Sequence, residues 1–236
     1  MTRNVLVTGG ISGIGRAIAE AFAAEGCRVT VTAKTREEVE QAQLFRENVQ
    51  AYALDNTRPA EISAVIATLE RLDVLVNAAG MILRDGQEFE PDSFENVVNV
   101  NLNGTMRICS AVRELLFASQ GCVINIASML SFFGSGYAPA YSASKGGVAQ
   151  LTKSLAIAWA PSGVRVNAIA PGWIETALTA PLVADPAKRD AIVGRTPLNR
   201  WGQPADVAGA ALFLASPAAA FITGVILPVD GGYSIA

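Results

Sequence analysis

The sequence predicts an α/β fold, a doubly wound parallel sheet of about seven strands with helices on both faces. Three observations predict it. Short Val/Ile-rich runs alternate with longer stretches of helical pattern along the whole chain. These runs are nearly continuous in apolar character, as strands covered on both faces should be. A glycine-rich turn directly follows the first of them. The 236 residues, 51% hydrophobic and 17% charged, suffice for one such domain over 1–236 and its buried core.

The first strand is NVLVT (4–8). It runs into TGGISGIG (8–15), and a helix follows over 14–25. Gly9, Gly13 and Gly15 give the spacing G-x-x-x-G-x-G, which suits a Rossmann-type turn. Residues without a Cβ let the backbone approach a pyrophosphate, and the N–H groups from Ser12 through Ile14 meet its charge. The second strand, RVTVT (28–32), ends at Ala33 and Lys34, where an NAD-binding chain often places an acid for the ribose 2′-hydroxyl. A carboxylate would repel a 2′-phosphate and a lysine attracts one, so the sequence leans mildly towards NADP over NAD.

A helix over 36–47, a weaker strand AYAL (51–54) and a helix over 59–71 come next. The strand DVLVN (73–77) precedes a long helical pattern over 92–118, whose VVNVNLNG places three asparagines within five positions. Asparagine is a poor helix-interior residue, so this cluster asks for an explanation. The strand CVINIA (122–127), a helix over 141–160 and the strand RVNAIA (165–170) follow. Residues 172–203 break the alternation and are rich in Pro and Thr, which predicts a structureless, mobile substrate-binding loop region. A helix over 204–215 and the strand GVILPV (224–229) complete the pattern. The span 207–229 is uncharged and long enough for a bilayer, but Pro217 and its many alanines and glycines mark a core helix, a turn and a final buried strand.

Composition narrows the chemistry. The net charge is −3 with no basic run, so no nucleic-acid face is expected. Cys27, Cys109 and Cys122 form no C-x-x-C, and the chain has no histidine, so no metal site is expected and the thiols read as reduced and buried. The N-terminus leads straight into the first strand without an apolar leader, which reads as cytoplasmic.

An enzyme without histidine must move protons by other means. Tyr141 and Lys145, in YSASK, stand four residues apart on one helix face. A free tyrosine is ionised in only about one molecule per thousand at pH 7. An adjacent lysine at an effective dielectric near 20 stabilises the phenolate by up to ~4 kcal/mol before desolvation opposes it. The pair is therefore expected to poise a phenol near neutrality. Ser128 stands at the C-terminal end of a strand, where open sheets place their ligands, and its hydroxyl can donate to a substrate oxygen.

Together these residues resemble the short-chain dehydrogenase/reductase family in its single-domain form. TGGISGIG, Asp55, NAAG (77–80), Asn101, Ser128, YSASK and PG (171–172) follow the family order over nearly the whole chain. The resemblance implies a catalytic tetrad of Asn101, Ser128, Tyr141 and Lys145. Tyr141 would be the acid/base and Ser128 would orient the carbonyl. Lys145 would bind the nicotinamide ribose, and Asn101 would hold a water linked to Lys145. It further implies Asp55 near the adenine, Asn77, Ala78 and Gly80 along the cofactor, and Pro171, Gly172, Ile174 and Thr176 at the nicotinamide end. It also implies a homotetramer, built through the long helices and the C-terminal edge. Ala78, where many members have a second Asn, and the missing acid at Ala33 are departures.

The expected activity is hydride transfer between nicotinamide C4 and a carbonyl or secondary-alcohol carbon of a small, largely apolar substrate. A 3-oxoacyl or sugar/polyol substrate is the alternative within the same reaction. Met81, Ile82, Leu130, Phe132, Phe133, Trp173 and Leu178 are candidates for the pocket wall, and Arg195 and Arg200 for an acidic substrate group or for structure alone. A dinucleotide-binding sensor without turnover and a methyltransferase are the rival classes. The intact tetrad argues against the first, and protection by nicotinamide cofactors in a melting assay separates the second.

Overall fold

The computed structural model describes residues 2–42 and 46–236. Among these, the strands are β1 (Asn4–Thr8), β2 (Arg28–Ala33), β3 (Val49–Ala53), β4 (Val74–Asn77), β5 (Cys122–Ile126), β6 (Arg165–Pro171) and β7 (Ile226–Val229). They form one parallel sheet in the order β3-β2-β1-β4-β5-β6-β7. The helices are α1 (Gly13–Ala24), α2 (Arg36–Gln41), α3 (Pro59–Ile66), α4 (Pro91–Val98), α5 (Gly104–Ser119), α6 (Pro139–Trp159), α7 (Ala180–Val183), α8 (Pro186–Arg195) and α9 (Pro204–Ala215).

Strand side chains alternate between faces, so β1 sends Val5 and Val7 one way and Leu6 the other. The first face packs on Ile18 and Phe22 of α1 and Val207 and Leu214 of α9. The second packs on Ile108, Val112 and Leu116 of α5 and Leu155 and Trp159 of α6. Phe22 is wholly buried, and truncating such a side chain to alanine costs ~3–5 kcal/mol. Register pairs Thr8 of β1 with Asn77 of β4, so the first glycine turn and NAAG leave the same edge of the sheet side by side.

Four sequence expectations need correction. The pattern over 92–118 is two helices, α4 and α5, joined by a π-helical turn over Asn99–Asn103. The asparagine cluster is the cause, because Asn101 turns its amide off the helix and into other segments. The segment 172–203 is not structureless, since it carries α7 and α8. The last strand is not buried: β7 is an edge strand with partly accessible residues, and Pro228 is tolerated there because an edge does not require its N–H. Helix 59–71 stops at Ile66, where tight turns from Thr68 to Val65 and from Leu69 to Ile66 close it. Helix 36–47 is seen as α2 up to Gln41, and residues 43–45 of that expectation lie outside the described residues.

Candidate active site

The site assembles from loops that leave the carboxyl ends of β1, β2, β3, β4, β5 and β6. At the first, Gly9 has φ +65° and lies so close to NAAG that a Cβ would come within 2.9 Å of the Ala79 Cα. A Cβ on Gly15 would overlap the Gly9 carbonyl oxygen. Thr8 Oγ1 accepts from the Ala79 amide at 3.3 Å, which holds the two turns together. The N-terminal turn of α1 has no side-chain cap from Ser12 and no acid of its own. Its amide groups are therefore suited to an anion.

Beyond the end of β2 lies a cavity of about 680 Å³ lined by Lys34, Arg36, Asp55 and Arg58, among others. Asp55 accepts from the backbone and hydroxyl of Thr57 at 2.8 and 2.7 Å. Burial pushes its carboxyl up, but the Thr57 hydrogen bonds and the Lys34 and Arg58 charges hold it below the usual carboxylate range. Ala33 is buried, with its carbonyl on the Leu54 amide, and it is Lys34 that reaches this cavity. Arg58 was not singled out from the sequence; its place at the start of α3, beyond Asp55, was the available signal.

At the other end of the same edge is a cavity of about 110 Å³, lined by Ser128, Tyr141, Ile14, Thr176 and their neighbours. Ser128 is buried, its hydroxyl accepts from the Leu130 amide at 3.1 Å, and it lines the same cavity as Tyr141. Lys145 is buried, and its Nζ donates to the Ile126 carbonyl at 2.6 Å. Asn101 Oδ1 accepts from the Met81 amide at 2.8 Å, and its Nδ2 donates to the Met81 carbonyl at 2.9 Å and to Ser144 Oγ at 3.0 Å. The Asn101 side chain thus clamps the segment after β4 against α6. A Cβ on Gly80 would lie 3.3 Å from Asn101 Oδ1 and 3.6 Å from Lys145 Nζ, so all three meet at one point. Asn77 turns its amide into the core, donating to Asn125 Oδ1 at 2.9 Å, and leaves Ala78 and Gly80 nearer the cleft.

The expected near-neutral phenol is not what this arrangement gives. Burial pushes Tyr141 up to about 12, the Ser128 hydroxyl opposes this, and the charges of Glu88 and Tyr137 add to it. Burial lowers Lys145 to about 8. Desolvation dominates at both groups.

Of the pocket candidates, Ile82, Leu130, Trp173 and Leu178 line this smaller cavity, while Met81, Phe132 and Phe133 do not. Phe133 packs beside Tyr233, with ring centroids 6.5 Å apart, and Phe132 is exposed. Pro171, Gly172 and Ile174 line the same cavity. Arg195 stacks on Tyr233 at 4.4 Å, Arg200 makes a two-pronged pair with Asp206 at 2.7 and 2.9 Å, and neither lines this smaller cavity. Arg84, which sequence reasoning passed over, lines the cavity and donates to the Leu178 carbonyl at 2.6 Å. Its position four residues after Gly80 was the available signal.

A family model described as enoyl-(acyl carrier protein) reductase matches residues 9–234. The 2-dehydro-3-deoxy-D-gluconate 5-dehydrogenase of Bacillus subtilis (strain 168) is 43% identical over 239 residues, covering 98% of this chain and 94% of that protein. The chain belongs to the short-chain dehydrogenase/reductase family. Galactitol 2-dehydrogenase (L-tagatose-forming) of Cereibacter sphaeroides is 39% identical, covering 97% of this chain and 94% of that protein. The crystal structure of a gluconate 5-dehydrogenase from Burkholderia cenocepacia J2315, in complex with NADP and tartrate, superposes with a TM-score of 0.93 at 36% identity, covering 99% of this chain and 96% of that one. This family member is an NAD(P)-dependent oxidoreductase acting on CH–OH and C=O groups.

Proposed function

We propose that this chain interconverts a secondary alcohol and a ketone on a sugar acid, with NADP favoured over NAD. One observation carries the substrate class. Among the described residues lining the catalytic cavity, Arg84 is the only charged one. The remaining wall supplies hydroxyls from Ser128, Tyr137, Tyr141, Thr176 and Thr179 and apolar surface from Ile82, Leu130, Trp173 and Leu178. A guanidinium facing several hydroxyls suits a polyhydroxy carboxylate. The sugar option is supported by relatives named as dehydrogenases or reductases of 2-dehydro-3-deoxy-D-gluconate and 5-keto-D-gluconate, and by the tartrate held in the Burkholderia structure.

The glycine turn, the uncapped start of α1 and the two cavities along one sheet edge fit an extended dinucleotide. Lys34, Asp55 and Arg58 would hold its adenosine end, and Ile14, Ile174, Thr176 and Lys145 its nicotinamide end. When bound, the nicotinamide gives or takes the hydride. Tyr141, with its proton held at neutral pH, donates that proton to the substrate oxygen in reduction and takes it back in oxidation. Ser128 orients the same oxygen. Lys145 is fixed by Ile126 and presents its amine beside Gly80, and Asn101 holds that meeting point by gripping Met81.

The reading includes one domain over 1–236, with 172–203 covering the substrate, and a cytoplasmic homotetramer. Exposed Ile157 on α6 and exposed Phe213, Phe221 and Ile235 towards the C-terminus support assembly. Among the described residues, no helix is long and apolar enough to cross a membrane. The test is a panel of sugar acids and neutral polyols with both cofactors, on wild type and Tyr141→Phe. Sugar acids are expected to be the better substrates, and Tyr141→Phe to lose at least ~10²-fold in turnover. Turnover of neutral polyols alone, or an active Tyr141→Phe, overturns the reading.

A further inference from the structure

The first turn of α6 carries Tyr141, and helix starts leave backbone amides without partners. The capping position of α6 is Ala138, whose side chain cannot accept a hydrogen bond. The acceptor comes instead from 53 residues earlier: Glu88 Oε2 takes the Tyr141 amide at 2.9 Å. The second oxygen, Oε1, takes the Leu83 amide, also at 2.9 Å. Glu88 is 1% exposed, and among the described residues no ion pair involves it. A buried carboxylate without a cation is costly unless its oxygens are satisfied. Here two amides and the positive end of α6 satisfy it. The chain is bent to aim it inward, since Asp85 and Gly86 both adopt left-handed backbone, with φ 56° and 78°.

We propose that Glu88 is a positioning residue for the reaction, clamping the turn that carries Tyr141 to the segment after β4 that carries Arg84. The inference rests on Tyr141 being the acid/base. A helix cap alone would need only a short polar side chain at position 138. Glu88 does more, because its two oxygens bind the two walls of one cavity. It sets the span between the proton donor and the arginine that would hold the substrate acid. Its charge also faces Tyr141, along with Lys145 on the same helix, Tyr137 just before that helix and Arg84 on the cavity wall.

Glu88→Gln keeps the size, leaves one acceptor and puts an NH2 where the second amide needs an oxygen. In this variant, kcat with a sugar acid should fall about 10- to 100-fold, the scale of a small misplacement, while cofactor affinity holds. The alkaline limb of the pH–rate profile should move to lower pH, because a negative neighbour of Tyr141 is gone. Glu88→Asp should restore the limb but not the full kcat. An unchanged kcat with an unmoved limb overturns the proposal, as does a loss of kcat matched by an equal loss of cofactor affinity. If Glu88→Gln does not fold, amide hydrogen exchange on the wild type decides the matter. The Leu83 and Tyr141 amides should show matched strong protection, and a freely exchanging Leu83 amide overturns the clamp. An active Tyr141→Phe would remove the acid/base reading and leave the exchange result standing, so the two failures are distinguishable.

Discussion

The Lys145 ammonium lies 5.6 Å from the centre of the Tyr141 ring and donates to the Ile126 carbonyl at 2.6 Å. The lysine is therefore anchored to β5 and lies over the face of the ring. Its burial has a measurable consequence. The folded value of about 8 is below the ordinary 10.5, so between those limits the unfolded chain binds a proton that the folded chain does not. Stability from this group therefore rises with pH across that window, and below about pH 8 the full penalty applies, on the order of 3 kcal/mol. Lys145→Met should melt above the wild type at pH 7, with the margin narrowing as pH rises towards 10. A margin independent of pH would show that the lysine is not desolvated.

On the proposed reading, cofactor choice depends on the cavity beyond β2. Lys34 is exposed, and an exposed pair is worth ~0–1 kcal/mol, so it should favour NADP by less than tenfold. Arg36 and Arg58 line the same space and should add to it. Ala33→Asp should turn the preference towards NAD and also lower the melting temperature, because position 33 is buried. The measurement is kcat/KM for both cofactors in the two proteins. A wild type that already prefers NAD by about tenfold would leave the cations without a phosphate to hold.

Arg84→Leu should raise KM for a sugar acid while cofactor affinity stays near wild type. A hydrogen bond to a charged group is worth ~1.5–3 kcal/mol, or about 10- to 150-fold. Neutral polyols, if turned over at all, should be little affected by that charge. Equal losses for acids and polyols would mean that Arg84 only ties down Leu178.

Gln120 offers a test away from the chemistry. It ends α5 in left-handed backbone, φ 51°, where glycine is the usual residue. Gln120→Gly should gain ~1 kcal/mol, or about 2–4 °C in melting temperature. Its kcat should match the wild type, and a lower melting temperature would show that the Gln120 side chain contributes more by packing under Gly163 than its backbone costs.

Strand positions were legible because period and apolarity are local properties. All seven strands fall within two residues of expectation at each end, with β3 and β7 offset most, by two residues at their starts. The residues proposed as a tetrad could be named from their types and spacing, and the fold brings Asn101 and Lys145 together beside Gly80. What the sequence could not show was geometry between distant segments. The π-helical turn exists because Asn101 bonds Met81, twenty residues away, and no local propensity records that. Glu88 reads as one more charge in a polar stretch until the fold brings Tyr141 to it. The titration of Tyr141 was misjudged for a related reason: spacing gives the neighbour, while the dielectric around both groups comes from the whole fold.

The groups proposed to react cluster at one margin of the sheet, and among the described residues none of them sits in the turns on the opposite margin. Such a scaffold can diversify by rewriting three or four loops while its strands and their packing stay fixed. The Burkholderia neighbour, with nearly two thirds of its residues different, keeps the same backbone path at a TM-score of 0.93. Selection on what the enzyme recognises and selection on how long it lasts thus act on different parts of the chain. A laboratory library confined to 81–86 and 175–182 would leave the buried core, Ile174 included, untouched.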